Sequence, residues 1–234
     1  MFNTLFYRPI ANLMIYLYNT IAVHDLGIAI IILTIIIRFI LYPFFHKMFH
    51  QQAMTIKMKP EITEIQKKYK DDQKAQGEEL MKLYKKYNIN PMYPFLFMIV
   101  QIPIMFALFK ACTEGIKTGF NGLLYSFVVK PETVNINFLG SINITERSVL
   151  LIALVIIFQF LQSKIGSNIP KDDIKQQKMN NMMAIVGVLI ILPFAWYFPA
   201  AVSIYLIVGS VFSIIQQLVC NRSIKNEELK GTNK

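Results

Sequence analysis

One charged side chain lies deep inside an apolar run of this sequence. Of all the side chains, it gives the most information about function. Arg38 is the only charged residue within 26–45. A charge near the middle of a bilayer costs roughly 2.5 to 3.5 kcal/mol on insertion scales, so such a residue is expected to have a function. The chemistry it offers is electrostatic attraction of acidic groups. The alternative is that the side chain of Arg38 extends to the nearer membrane surface.

Polar side chains in other apolar runs lie at similar depths. Thr34 is one helical turn from Arg38 on the same helix face. Gln101, Gln159 and Ser210 lie at the middle or the cytoplasmic third of later runs. Because polar groups in a membrane cost less when they face a shared hydrated interior than when they face lipid, this set predicts a hydrated, positively charged pocket. For any one of the amides, a hydrogen bond between two helices is the alternative.

No residue pattern indicates covalent chemistry. The sequence contains no evident pair of nucleophile and base and no phosphate-binding loop of the GxxxxGK type. His46 and His50 are one turn apart, but no third metal ligand accompanies them. Cys112 and Cys220 are too few for a disulfide framework and are expected at opposite membrane faces. We therefore expect no enzyme activity, no metal site and no cofactor.

The composition places the chain among membrane proteins. Its 234 residues are 54% hydrophobic, with a mean hydropathy of +0.43, which is too apolar for an ordinary soluble domain. The net charge of +10 comes from basic residues between apolar runs, where they set topology and contact anionic lipid. We therefore expect no specific nucleic-acid partner. The first residues lack a basic region and a cleavage site, so no removable signal peptide is expected.

Five apolar segments are long enough to be considered as membrane spans, which each need about 20 residues. They predict an all-α polytopic membrane protein. Apolar residues at helical spacing before the first span predict an amphipathic interfacial helix, with a sixth span as the alternative. The predicted regions are an outer amphipathic helix (1–22), TM1 (23–46), a cytoplasmic helical hairpin (47–90), TM2 (91–113), an outer loop (114–147), TM3 (148–165), a cytoplasmic loop (166–180), TM4 (181–198), TM5 (199–220) and a basic cytoplasmic tail (221–234).

The distribution of basic residues predicts the orientation. With five spans, 18 Lys and Arg residues fall in one set of alternating compartments and 4 in the other. Because basic residues are retained on the cytoplasmic side, the N-terminus is expected outside and the C-terminus in the cytoplasm.

The cytoplasmic segment 47–90 carries ten lysines and six carboxylates. Charge pairs at helical spacing, such as Glu64 with Lys68, favour two helices. The polar stretch 71–77 ends in glycine and is the predicted turn. Pro60 is expected to kink or restart the first helix.

The third span is short. Its apolar core of about 16 residues covers only ~24 Å at the helical rise. A short span thins the surrounding bilayer. Thinning beside a polar pocket lowers the barrier to moving a polar peptide segment across the membrane, without covalent chemistry.

These motifs together resemble those of a known family, the YidC membrane protein insertases. The resemblance covers roughly residues 5–222 in order and spacing. The stretches that carry it are IIILTIIIRFILYPF (30–44), KMKPEITEIQKKYKDD (57–72), LMKLYKKYNINP (80–91), VQIPIMFALF (100–109), QQKMNNMM (176–183) and IYLIVGSVFSIIQQ (204–217).

The resemblance implies a five-helix core around a hydrophilic groove that is open to the cytoplasm and to lipid and closed to the outside. Arg38 occupies the position of the arginine that makes this groove positive in the family. Gln159, Trp196 and Tyr205 fall at its polar and aromatic groove positions. The implied location is the bacterial plasma (inner) membrane.

The implied function is insertion and folding of nascent membrane proteins. The Sec translocon, the ribosome and a targeting receptor are candidate partners, together with anionic lipids. A small anion transporter or channel that binds its solute at Arg38 is the alternative. Such proteins commonly have inverted repeats, which the sequence lacks, and the hairpin at 47–90 has no part in solute flux.

Overall fold

Helices form nearly all of the regular structure in the computed structural model, which describes residues 1–90, 92–166, 182, 185, 189, 192–193 and 195–231. The helices are α1 (Arg8–Thr20), α2 (Leu26–Ile40), α3 (Tyr42–Lys57), α4 (Lys59–Lys68), α5 (Gln73–Lys86), α6 (Tyr93–Lys110), α7 (Ile116–Thr118), α8 (Val149–Gly166) and α9 (Ala200–Gly231). Asn3–Tyr7 and Ala111–Gly115 are π-helical turns. Within the described residues, β1 (Asn137–Phe138) and β2 (Ile142–Asn143) form the single, antiparallel sheet. The predicted all-α class is confirmed.

Several of these helices are long and apolar enough to cross a membrane. Ile99–Thr118 and Ala200–Ser223 meet this standard by length and composition. The bent pair of α2 and α3 is a third candidate span if the two helices cross the membrane together. Val149–Ile165 is a shorter apolar helix. The predicted loop and span over 166–198 lie largely outside the described residues, so the count of five spans stays a prediction.

Helices α2 and α3 meet at a bend of 69°. Helix α2 ends at Ile40, and α3 begins at Tyr42 with Pro43 in its first turn. Proline is tolerated there because the first N–H groups of a helix have no partner, but its ring prevents the preceding helix from continuing. The predicted span 23–46 therefore contains a bend that its hydrophobicity does not indicate, and Arg38 lies in the last turn of α2.

Helices α4 and α5 form a hairpin. Tyr87, just beyond α5, donates a hydrogen bond of 2.6 Å to Glu61 in the first turn of α4, so the two helices run antiparallel. Their apolar sides enclose the buried Met58, Leu83 and Ile89.

The turn of this hairpin is earlier and shorter than the predicted turn over 71–77. The carboxylate of Asp72 accepts a hydrogen bond of 2.9 Å from the Ala75 amide and starts α5, which places Gly77 inside the helix. A good N-cap thus decides the boundary, rather than the glycine. Pro60 lies in the first turn of α4 and restarts the helix after α3.

Residues 1–25 and 119–148 form one hydrogen-bonded unit, called the cap below. Asn12, which is 2% exposed, donates to the Leu123 carbonyl at 3.1 Å and accepts from the Tyr125 amide at 2.6 Å. The long connection after α7 is therefore held against α1 by side chain to backbone bonds rather than by strand pairing.

Asp25 joins the cap to α2. One carboxylate oxygen accepts from the amides of Gly27 (2.8 Å) and Ile28 (3.1 Å), and the other accepts from the Leu139 amide (2.8 Å). The ring of Phe138 occupies the space that a Cβ at Gly27 would need. Glycine is thus required where the β1–β2 hairpin lies against the start of α2.

Helix α9 packs against α2, α3, α6 and α8. Its buried side carries small residues, which allow neighbouring helices to approach closely: Ala200, Ala201, Ser203, Gly209, Ser210 and Ser213. Short polar side chains are thereby brought into the interior of the bundle, where the candidate site lies.

Candidate functional site

Arg38 is buried between α2, α3 and α9. Its side chain is 5% exposed, and Nη1 donates a hydrogen bond of 3.2 Å to the hydroxyl of Ser213. The guanidinium carbon lies 4.7 Å from the centre of the Phe45 ring, which is cation–π geometry. No carboxylate of the described residues forms an ion pair with it. The positive charge is thus held by a hydroxyl and an aromatic ring.

The bend between α2 and α3 explains this arrangement. Phe45 lies in the first turn of α3, and the change of direction at Leu41 lets its ring contact a side chain from the last turn of α2. In one straight helix, residues 38 and 45 would be two turns apart, about 10 Å along the axis. The aromatic wall of the site is therefore a consequence of the bend.

Gly209 makes room for the guanidinium on α9. A Cβ at this position would lie 2.6 Å from Nη2 and 3.3 Å from Cζ of Arg38. Contacts this short require the side chain to move. The absence of a side chain at 209 therefore sets where the charge lies, and the Arg38 site is defined below as Arg38, Phe45, Tyr205, Gly209 and Ser213.

One face of α9 supplies the rest of the site. Tyr205, Gly209, Ser213 and Gln216 are spaced by four, four and three residues, so they lie on one face of the helix. Gln216 donates a hydrogen bond of 3.0 Å to the Tyr42 carbonyl, just after the bend. This face of α9 thus contacts both halves of the bent pair.

Helix α6 joins the site through Gln101. Its amide Nε2 donates a hydrogen bond of 2.8 Å to the Tyr205 hydroxyl, and Tyr205 is 2% exposed. Gln101 itself is half-buried. The predicted residues Arg38, Gln101 and Tyr205 are therefore brought together by α2, α6 and α9.

Helix α8 meets a different face of α9. The Ser210 hydroxyl donates to Gln159 Oε1 over 3.4 Å, a long contact for two oxygen atoms. Ser203, Ser210 and Gln217 recur every seven residues and form a second polar stripe on α9. Gln159 and Ser210 thus pair with each other beside the Arg38 site.

Two predicted site residues lie apart from the cluster. Thr34 is fully buried, but its hydroxyl donates to the Ile30 carbonyl of its own helix at 2.6 Å. Trp196 is 49% exposed. Thr34 therefore packs one turn from Arg38 without bonding to it, and Trp196 lies at the surface.

Sequence reasoning missed Phe45, Gly209 and Ser213 as parts of the site. A signal for two of them exists, because Tyr205, Gly209 and Ser213 repeat at four-residue intervals within an otherwise apolar helix. Phe45 gives no such signal, since its contact with Arg38 depends on the bend.

Several buried polar atoms near these helices have no hydrogen-bond partner among the described residues. They are His46 Nδ1, Ser203 Oγ, Gln216 Oε1 and Gln217 Nε2. Each such group costs about 1 to 3 kcal/mol if it stays unsatisfied. Together with the unpaired charge of Arg38, they make this interior suited to water and to a polar or acidic peptide segment.

Comparison with known proteins relates the chain to a family of membrane proteins. A family profile described as 60Kd inner membrane protein matches residues 16–228. The chain is similar to proteins named membrane protein insertase YidC. They include those of Geobacter metallireducens (31% identity over 225 residues, 95% of this chain and 38% of the relative), Caulobacter vibrioides (30% over 234 residues, 95% and 37%) and Geobacter sulfurreducens (32% over 206 residues, 87% and 35%).

The chain thus spans little more than a third of the length of these relatives. The match nevertheless covers nearly all of the chain and includes the motifs around Arg38 and on α9. With its apolar helices, the chain is a protein of the bacterial inner membrane. The resemblance drawn from its motifs is confirmed, and the chain belongs to the 60Kd inner membrane protein family, which includes the YidC insertases.

Proposed function

We propose that this protein inserts nascent membrane proteins into the bilayer and helps them fold. The observation that carries the proposal is the buried guanidinium of Arg38, which has no carboxylate partner among the described residues. A charge in this state gains most from a transient acidic partner. The names of the relatives support the same function.

The Arg38 site attracts acidic residues in the polar segment that precedes the apolar helix of a client protein. Ser213 and Phe45 hold the guanidinium without neutralising it, so its field remains available. The apolar helix of the client meanwhile moves along the spans into lipid, and its partitioning drives the reaction. The protein needs no bond chemistry for this work.

Further residues line the path of the client. Gln101 and Tyr205 extend the site along α6 and α9, and Gln159 with Ser210 extends it towards α8. Thr34 supports the helix face that carries Arg38. Trp196 contacts the apolar part of the client or lipid, consistent with its exposed indole ring.

The proposed orientation places the cap outside and the hairpin of α4 and α5 in the cytoplasm, with five spans between 23 and 220 and the amphipathic helix of 1–22 on the outer surface. The excess of lysine in the hairpin supports this orientation. The hairpin and the basic tail (221–234) are the proposed contacts for anionic lipids, the ribosome or a targeting receptor, with the Sec translocon as a further partner.

The test is a depletion and complementation experiment with a single-span client whose outer segment is acidic. Replacement of Arg38 by alanine should reduce insertion about tenfold, the effect of losing one charge-assisted interaction. A client with asparagine in place of its acidic residues should depend little on Arg38. Lys117→Ala, at an exposed residue of α7, is the matched control for loss of one positive charge.

Normal insertion of every acidic client by Arg38→Ala would refute this role of the arginine. The anion-transport alternative is not supported by the names of the relatives. Anion uptake into liposomes that contain the pure protein, abolished by Arg38→Ala, would restore it.

A further inference from the structure

A second polar site, which shares no residue with the Arg38 site, lies in a cleft between the cap and the ends of the apolar helices. The cleft has a volume of about 510 Å³. Its lining residues are Phe109, Thr113, Thr145, Glu146, Arg147, Tyr197 and Pro199. This volume lies within the range of small-molecule sites in proteins.

The cleft lies at the level where three apolar helices begin or end. The span Ile99–Thr118 ends beside it, and α8 begins at Val149, two residues after Arg147. The Ala200 amide at the start of α9 donates a hydrogen bond of 2.7 Å to the Glu146 carbonyl. Ends of apolar helices mark the boundary between hydrocarbon and water, so the cleft lies at the height of lipid headgroups.

The cleft offers one positive and one negative side chain next to each other. Arg147 forms no ion pair within the described part of the chain. Glu146 Oε1 accepts a hydrogen bond of 2.9 Å from the side-chain Nδ2 of Asn143, which holds the carboxylate in place. An anionic ligand would meet attraction at Arg147 and repulsion at Glu146. A ligand that carries both charges satisfies both residues, with a phosphate on the guanidinium and an ammonium on the carboxylate.

The surroundings of the cleft are those of a lipid rather than of a soluble zwitterion. Val149 and Leu150, the first residues of α8, are 74% and 63% exposed, and Phe106 is 41% exposed one turn from Phe109. These apolar side chains offer a surface for acyl chains. Tyr197 is 78% exposed at the rim, as expected for aromatic residues at a membrane interface.

We propose that this cleft binds the headgroup of a zwitterionic phospholipid that carries a phosphate and a primary ammonium group. Arg147 binds the phosphate and Glu146 binds the ammonium, while the acyl chains descend past Phe106 and Val149. A bound lipid would join the cap to the starts of α8 and α9. The cleft contains no residue of the Arg38 site, and lipid retention is measured without insertion activity.

Native mass spectrometry of the full chain, released from nanodiscs with equal amounts of phosphatidylethanolamine and phosphatidylglycerol, tests the proposal. The protein should retain phosphatidylethanolamine preferentially. Arg147→Gln should lower retention of both lipids about tenfold, as expected for loss of one charge-assisted hydrogen bond. Glu146→Gln should abolish the preference and keep phosphate-dependent binding. Lys130→Gln, at an exposed lysine of the cap outside the cleft, should behave as the unchanged protein.

Unchanged helicity and melting temperature will show that each variant is folded, and Arg147→Lys should restore most of the retention. The proposal is overturned if the unchanged protein does not prefer phosphatidylethanolamine, or if Arg147→Gln retains both lipids at the original level. Crosslinking of an acidic client segment to a photoreactive residue at 147, with lipid retention unaffected, would assign the cleft to clients instead.

Discussion

The cap and the Arg38 site both contain buried polar side chains, but they satisfy them differently. In the cap, Asp25 accepts hydrogen bonds from three backbone amides. The side chain of Asn12 both donates a hydrogen bond through Nδ2 and accepts one at Oδ1. Near the Arg38 site, Gln216 Oε1 has no hydrogen-bond partner within the described structure. The guanidinium of Arg38 contacts one hydroxyl, that of Ser213, and one aromatic ring, that of Phe45. One region is closed by its own hydrogen bonds, while the other has polar groups left for a ligand.

This difference shows how one chain can contain both a rigid region and a region with polar groups available to a ligand. Satisfied side chain to backbone bonds fix a connection that lacks regular structure, as in the cap. Buried polar groups without a protein partner lower stability unless water, an ion or a ligand satisfies them. The two regions should therefore respond oppositely to mutation: stability should fall in the cap, and activity should fall in the Arg38 site.

The largest expected effect on stability is at Asp25. Replacement by alanine removes the N-cap side chain of α2. It leaves the amides of Gly27, Ile28 and Leu139 without their hydrogen-bond acceptor. We expect the free energy of unfolding to fall by roughly 2 to 4 kcal/mol, measured by thermal or denaturant unfolding in detergent.

Asp72→Ala is the matched control, since Asp72 caps an exposed helix of the hairpin through the single amide of Ala75. Its cost should be about 1 kcal/mol or less. Equal losses for the two variants would show that the contact between Asp25 and Leu139 adds nothing, and the contrast drawn for the cap would fail.

The next effect concerns the position of the Arg38 charge. Gly209→Ala places a methyl group where Nη2 of Arg38 lies, and the guanidinium is free to move because it ends a flexible side chain. We expect insertion of acidic clients to fall about fivefold, less than for loss of the charge, with little loss of stability. The measurement is the complementation assay described for Arg38→Ala.

Gly77→Ala controls for the general effect of alanine in a helix, since a Cβ at Gly77 meets nothing within 4 Å. That variant should gain about 0.5 to 1 kcal/mol in stability and keep full activity. If Gly209→Ala also keeps full activity, the exact place of the guanidinium is unimportant.

The sequence predicted the class of fold and the centre of the site because both depend on hydrophobic pattern. Arg38 is conspicuous as a charge in an apolar run, and Gln101 and Ser210 are conspicuous as polar residues at similar depth. The hydrogen-bond partners of Gln101 and Ser210 could not be predicted from the sequence. Ser210 meets Gln159, while Gln101 meets Tyr205, because the faces of α9 that carry them depend on how the helices rotate and pack.

Other parts of the site depend on local geometry that composition does not reveal. Phe45 reaches Arg38 only because Pro43 breaks the helix at Leu41. The family resemblance places Trp196 in the groove; its ring is 49% exposed, and its role there stays a prediction. The cap escaped prediction for a related reason, since its contacts join side chains to the backbone of a loop without periodicity.

The most direct comparison uses the loss of a single hydroxyl, because one tyrosine hydroxyl lies in each region and both residues are 2% exposed. In the cap, the Tyr18 hydroxyl accepts a hydrogen bond of 2.9 Å from the Asn135 amide. Tyr18→Phe leaves this backbone donor without a partner, which should cost about 1 to 3 kcal/mol. The measurement is the free energy of unfolding of the two phenylalanine variants in the same detergent.

In the Arg38 site, the Tyr205 hydroxyl accepts a hydrogen bond from the side chain of Gln101, a donor that is only half-buried. Tyr205→Phe should therefore cost only about 0.5 to 1 kcal/mol. Because the two substitutions remove the same atom, the difference between them measures how firmly each region fixes its polar groups. A larger loss for Tyr205→Phe than for Tyr18→Phe would mean that the Arg38 site is the rigid region, and the receptive interior proposed for it would lose its physical basis.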